Sequence, residues 1–146
     1  MPLAVEHIRR MRGGAQSHLM RCDDGAYYVV KFQNNPQHLR VLANEMLATR
    51  VAARIGLPVP GAEVVEVPAE LIGLTADLVM QLGAGSTPCR PGRQLGSRYP
   101  GDPARLVVHD FLPDDALREV ENLGDFAGML AFDKWTCNTN LTKLSS

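Results

Sequence analysis

The chain has 146 residues, 45% hydrophobic and 21% charged, a balance typical of a globular domain large enough to bury a core. Its net charge is −1 and its basic residues are scattered, so we expect no nucleic-acid partner. Apolar runs stay short of the roughly 18 residues of a membrane helix, and the N-terminal segment is charged, so we expect a cytoplasmic protein without a membrane contact. The three cysteines are odd in number and widely spaced, which predicts reduced thiols.

The first half of the sequence predicts a small antiparallel sheet and one helix. Three segments joined by turn signals predict a meander of strands, over residues 5–11, 17–22 and 27–32. The clearest element is a helix over residues 38–55, ended by Gly56 at a C-cap position and by Pro58 just beyond. A further strand is expected over residues 61–67, between two prolines.

The second half is less regular. The predicted elements are a helix over 69–82, mostly loop over 83–103 with a short strand near 94–99, a strand over 106–108, a turn at 110–115 and a helix over 116–135 broken near 122–124. Trp135 is expected to pack in the core. The element order predicts an α+β fold, a mostly antiparallel sheet with one packed helix followed by a helical segment.

A glycine-rich turn between the first two strands is the first candidate site. We call it the glycine loop; its residues are Gly13, Gly14, Ala15, Gln16 and Ser17. Glycines let backbone N–H groups approach a phosphate closely, and a loop of amides makes an anion nest. An ordinary hairpin that needs glycine for positive φ is the alternative.

Lys31 and Glu45 form the second candidate. Strand alternation separates Lys31 from Tyr28, Val30 and Phe32, so the lysine need not enter the core. Glu45 shares one stripe of the predicted helix with apolar residues, which are Val41, Ala48, Ala52 and Ile55. An unpaired buried carboxylate is costly, which predicts a cationic partner. The alternative is a solvated Lys31 and a Glu45 at the rim of the helix face.

Asp133, Asn138 and Asn140 lie where the last helix runs into a loop, and form the third candidate. A carboxylate and two amides there can position a hydroxyl or hold a metal. Side chains of this type also cap helix ends, and without further context the capping interpretation is favoured. The sequence identifies no definite metal ligands.

Five blocks of sequence, in their order and spacing, resemble the HipA-like kinase family. They are the Gly-Ala-Gln turn, Val29-Val30-Lys31-Phe32, Asn44-Glu45 in a helix ending at Gly56-Leu57-Pro58-Val59-Pro60, Phe132-Asp133-Lys134-Trp135, and Asn138-Thr139-Asn140. The resemblance implies a protein-kinase-like N-lobe over residues 1–112 and the start of a helical C-lobe over 113–146.

The same resemblance implies a set of roles for the candidate residues. The glycine loop would cover the phosphates of ATP, Lys31 would bind them and Glu45 would hold the lysine. Residues 107–112 would lie at the adenine hinge and residues 138–140 would open the catalytic loop. ATP and Mg²⁺ are the implied cofactors, and a protein Ser/Thr hydroxyl is the implied acceptor in full-length relatives.

The sequence departs from the family pattern near its C-terminus. Asn140 stands where the family places a catalytic aspartate, and an amide cannot accept the substrate proton. Asp133 could substitute, although its position inside the predicted helix favours a structural hydrogen bond. The metal-binding aspartate expected some tens of residues later does not appear before Ser146. We therefore expect a truncated, inactive kinase homologue; the alternatives are a non-enzymatic binding module and a small-molecule phosphotransferase on the same fold.

Overall fold

The computed structural model describes residues 1–36, 39–106, 108 and 113–136. Its strands are β1 Ala4–Arg10, β2 His18–Cys22, β3 Tyr27–Lys31, β4 Ala62–Val67, β5 Val79–Leu82, β6 Gly85–Pro88 and β7 Gly92–Arg98. Its α-helices are α1 Leu39–Arg54, α2 Ala69–Leu74 and α3 Leu123–Thr136, and a short 3₁₀ helix spans Ala116–Glu119. No helix among the described residues is long and apolar enough to cross a membrane.

Five strands form one antiparallel sheet in the order β1-β2-β3-β7-β4, and β5 and β6 form a separate hairpin. The predicted meander of the first three strands is confirmed. Its second turn depends on Gly25 at φ 76° and on Asp24, whose carboxylate accepts from the backbone N–H of Ala26 at 3.0 Å. The mixed α+β prediction is therefore confirmed, and the arrangement is consistent with a kinase-like N-lobe.

One face of the large sheet carries the main apolar core. The strands contribute Ala4, Met20, Cys22, Tyr28, Val30, Phe32, Val65 and Val67, all buried. Leu78, Met80 and Cys89 from the β5–β6 region complete the cluster, with Leu71 and Ile72 of α2 packed against it. The hairpin and α2 thus cover the core face of the sheet. The side chains that alternate with the core residues, including Lys31, lie on the other face.

The helix α1 begins and ends close to where the sequence predicts. Its C-terminus is closed by Gly56 at φ 82°, with the N–H of Leu57 donating to the carbonyl of Ala52 at 3.0 Å. This is the glycine-dependent cap expected from the sequence. Leu57 then packs against the backbone of α3 at Gly128. A Cβ added to that glycine would lie 2.9 Å from Leu57 Cδ2.

The region between α1 and α3 differs most from the sequence prediction. The helix expected over 69–82 ends at Leu74. The last four residues of the expected range form strand β5, because Leu78 and Met80 alternate into the core. The segment expected to be mostly loop also contains β6, whereas the short strand predicted near 94–99 is confirmed as β7, which lies inside the sheet between β3 and β4. The strand expected over 106–108 is absent at Leu106, which closes a turn by donating to the carbonyl of Asp102.

The C-terminal helical segment is broken as predicted, between the 3₁₀ helix and α3. The prediction that Trp135 packs in the core is wrong: its side chain is 73% exposed and contacts the ring of Phe132 in an edge-to-face arrangement. Phe132 is the aromatic residue of α3 that is buried. The boundary expected between residues 112 and 113 falls beside residues outside the described part and stays a prediction.

Candidate functional site

Lys31 and Glu45 form an ion pair between the sheet and α1. Lys31 is the last residue of β3, directly opposite Leu95 of β7, and its Nζ donates to Glu45 Oε1. The two side chains are 22% and 33% exposed, so the pair lies at the border of the packed interior and remains open to a ligand. The pairing predicted from the sequence is confirmed; its role with a nucleotide stays a prediction.

Simple periodicity places both partners of the pair. Tyr28 and Val30 are buried on the core face of β3, so the alternating Lys31 points to the other face. On α1, Ala52 is buried and lies on the same helical stripe as Glu45. Ile55 was expected on this stripe but lies just beyond α1 and is 59% exposed, which corrects its predicted place.

The glycine loop lies at the same end of the sheet as Lys31. β2 begins at His18 opposite Val30, so Ser17 and the loop before it are next to the end of β3. The loop is closed by the N–H of Met11 donating to the carbonyl of Ser17 at 2.8 Å. Gly13 adopts φ 114° and faces open space, which leaves the outer side of the loop accessible.

The side chain of Gln16 is hydrogen-bonded within the protein, and its predicted role in nucleotide binding stays a prediction. Its φ of 47° is left-handed, and its N–H donates to the carbonyl of Gly13 at 3.3 Å. Its side-chain amide makes two hydrogen bonds with the backbone of Gln81, at 2.7 and 3.0 Å, and accepts from Arg10 at 2.7 Å. In this conformation Gln16 shapes the loop.

Three consecutive amide residues after β3, which we call the amide cluster, were not singled out from the sequence. They are Gln33, Asn34 and Asn35. Asn35 is buried and its Nδ2 donates to the carbonyl of Ala15 in the glycine loop. The only sequence signal is the run of amides itself, since turn-forming residues are common after a strand.

A histidine pair lies beneath the glycine loop on the core face. His7 Nε2 and His18 Nδ1 are 3.1 Å apart, and His18 meets the edge of Phe32. The pKa of His18 is lowered to about 4, chiefly by burial, then by His7 and Arg10, with Asp77 opposing. Burial also lowers the pKa of His7. Both rings are therefore neutral near pH 7, and within the described part of the chain His18 Nε2 has no hydrogen-bond partner.

Of the predicted catalytic residues, the structure describes Asp133 but not Asn140. Asp133 of α3 is buried, with 5% of its surface exposed, and it is engaged in an interaction. Asn138 and Asn140 lie outside the described residues, as do Val107 and residues 109–112 of the expected hinge. Their predicted roles stay predictions.

Two other features bear on what could bind. Among residues 1–36, 39–106, 108 and 113–136, no group of three or more His, Cys, Asp or Glu side chains could hold a metal ion. An open groove of about 410 Å³ lies between the C-terminal half of α1 and the start of β4. It is lined by Arg50, Arg54 and Glu63 among others, and includes no residue of the glycine loop or the Lys31–Glu45 pair.

A family model described as HipA-like kinase matches residues 4–143, nearly the whole chain. Searches of curated proteins and of solved structures gave no significant match. The matched range contains the glycine loop, Lys31, Glu45 and the C-terminal candidates.

Proposed function

We propose, starting from the fact that the chain belongs to the HipA-like kinase family, that its glycine loop and Lys31 bind the phosphates of ATP. The observation that carries the proposal is the Lys31–Glu45 ion pair at the end of β3, beside the glycine loop. An ammonium held by a carboxylate is how kinase folds present a lysine to nucleotide phosphates.

Two features of the described residues support the binding of a triphosphate. Gly13 at positive φ leaves space above the loop, where backbone amides can approach an anion. Lys31 keeps part of its side chain exposed, so its ammonium can contact a phosphate oxygen while Glu45 fixes its direction. A part-exposed ion pair contributes only about 0–1 kcal/mol to stability, so the arrangement serves placement better than folding.

In full-length relatives we propose that the bound ATP supplies a γ-phosphoryl group for a protein Ser or Thr hydroxyl. Mg²⁺ belongs to this proposal through the family alone, since the described residues offer no cluster of metal ligands. We derive no step through the metal. The part of this chain's own residues is to hold and orient the triphosphate.

Calorimetric titration of ATP into the 146-residue chain tests the proposal. We expect binding that Lys31→Ala weakens by about tenfold or more, as loss of a charge-assisted hydrogen bond implies. Arg9→Ala is the control, because Arg9 is an exposed cation of β1 with no resolved ion pair in the described part. A folded chain that binds no ATP, or a Lys31→Ala variant with unchanged affinity, would remove the proposal.

We further propose that this polypeptide by itself transfers no phosphate. Asn140 stands where the family places the catalytic carboxylate, and Asp133 is buried in α3. An amide cannot take the proton of an attacking hydroxyl. A radiolabelled-ATP assay that shows transfer above background, lost in Lys31→Ala, would contradict this and return Asp133 to consideration as the base.

One observation favours the second candidate, a non-enzymatic binding module. The α3 side chains Leu123, Phe126 and Leu130 are 51%, 39% and 42% exposed and fall on one stripe of the helix. If the chain binds no ATP while variants of this stripe abolish self-association or a partner's binding, the module function replaces the kinase one.

A further inference from the structure

The glycine loop is held from one side by Gln16, through a contact that imitates strand pairing. Gln16 Nε2 donates to the carbonyl of Gln81 at 3.0 Å, and the N–H of Gln81 donates to Gln16 Oε1 at 2.7 Å. One side-chain amide thus satisfies both backbone groups of a residue in β5. The glycine loop is thereby fixed to the β5–β6 hairpin, 65 positions away in sequence.

The loop is held from the other side by Asn35, which lies four residues after Lys31. Its buried Nδ2 donates to the carbonyl of Ala15, and its backbone N–H donates to the carbonyl of Phe32 at 3.1 Å. The turn that follows β3 therefore ends against the glycine loop. This contact sets the position of the loop relative to the strand that carries Lys31.

The same turn also supports the hairpin. Asn34 Nδ2 donates to the carbonyl of Pro88 at 3.0 Å, and Asn34 Oδ1 accepts from the N–H of Arg90 at 3.1 Å. The hydrogen bonds close a circuit from the glycine loop to β5, through β6 to Asn34 and Asn35, and back to the loop. Movement of the loop away from Lys31 would break contacts on both sides.

This circuit matters because a glycine-rich loop is otherwise costly to order. Gly13 makes no contact at its Cβ position and occupies a backbone region that other residues avoid. A ligand that must order such a loop loses affinity, whereas a loop already ordered by its own fold does not impose that loss. The amide contacts place the ordering inside the ligand-free protein.

We propose that Gln16 and Asn35 are positioning residues that keep the glycine loop ordered beside Lys31 before a nucleotide arrives. The consequence for affinity rests on the proposed ATP binding; the ordering itself does not. The side-chain amides of Gln16 and Asn35 are engaged by backbone groups of the fold, so they act through the position of the loop. The β5–β6 hairpin is the support to which Gln16 attaches the loop.

Hydrogen exchange on the ligand-free 146-residue chain tests the ordering, and calorimetry with ATP tests its consequence. Gln16→Met and Asn35→Leu keep approximate size and add no charge near a phosphate. Gln33→Met is the matched control, because Gln33 belongs to the amide cluster but its side chain bonds to Arg93 and not to the loop. Global unfolding midpoints measured in parallel separate a local effect from a loss of the fold.

We expect exchange of the backbone amides of residues 13–17 to rise about tenfold in Gln16→Met and Asn35→Leu, and ATP affinity to fall by a similar factor, as loss of the hydrogen bonds that tie the loop to its neighbours implies. Gln33→Met should change neither by more than about twofold. Where Asn35→Leu fails to fold, Gln16→Met, at a half-buried position, carries the test.

Three results would overturn the inference, and one separates it from the proposed function. Unchanged exchange in both variants removes the ordering. Faster exchange with unchanged ATP affinity removes the positioning role, and an equal effect of Gln33→Met removes the specificity. If the parent chain binds no ATP, the proposed function falls by itself, and faster loop exchange confined to Gln16→Met and Asn35→Leu still upholds the ordering.

Discussion

The two faces of the five-stranded sheet are built from alternating residues of the same strands, yet they do different work. On one face Val30 and Phe32 are fully buried in an apolar core closed by the hairpin. On the other, Lys31 lies between them in sequence and pairs with Glu45 at a part-exposed position. The comparison places the main apolar core on the first face and the proposed ligand contact on the second.

The largest contrast should come from truncating neighbours on opposite faces of β3. Phe32→Ala should lower the free energy of unfolding by about 3–5 kcal/mol, since Phe32 is fully buried. Lys31→Ala should lower it by no more than about 1 kcal/mol. Urea denaturation of both variants measures the difference, and equal losses would contradict the division between the faces.

The next effect concerns how tightly the core face is packed around β7. A Cβ on Gly96 would clash with Val65 Cγ2, so Gly96→Ala should lower the free energy of unfolding by about 1–3 kcal/mol. Removing the obstructing methyl groups with Val65→Ala should cost less in the Gly96→Ala background than in the parent chain. Gly73→Ala is the control, because its Cβ in α2 meets nothing within 4 Å. A neutral Gly96→Ala would show that β7 can shift.

A smaller effect should follow the histidine pair on the core face. Because the pKa of His18 is lowered to about 4 when folded, the unfolded chain binds the proton first as pH falls. Stability is therefore fully present above pH 6.5 and is lost as pH falls toward 4. Thermal melts across this range measure the loss of stability. The titratable groups that act on His18 are His7, Arg10 and Asp77. His18→Phe should flatten the profile, and an unchanged slope would contradict the assignment.

Local periodicity was enough to predict one part of the molecule. The meander, α1 and the Lys31–Glu45 pair follow from alternation along β3 and the 3.6-residue repeat of α1. Gly56 and Pro58 mark the helix end in the sequence itself. Each of these signals lies within a few residues of the element that it predicts.

Contacts distant in sequence explain what could not be predicted. The short strand predicted near 94–99 is present as β7, but its sequence GRQLGSR has a single apolar residue and gives no sign that β7 lies inside the sheet, where β3 and β4 pair with both its edges. Residues 75–82 were expected to continue the helix but form a turn and then β5, since Leu78 and Met80 close the core. The amide cluster has partners 20 to 61 positions away, which no local pattern contains.

A double-mutant cycle on Lys31 and Glu45, read out in ATP affinity and in unfolding free energy, tests the central claim most directly. The variants are Lys31→Met, Glu45→Gln and their combination, which remove charge with little change in size. We predict that each single variant weakens ATP binding, that the double variant is no worse than Lys31→Met, and that stability changes by less than about 1 kcal/mol throughout. Unchanged ATP binding together with a large loss of stability would show a structural ion pair and contradict the account.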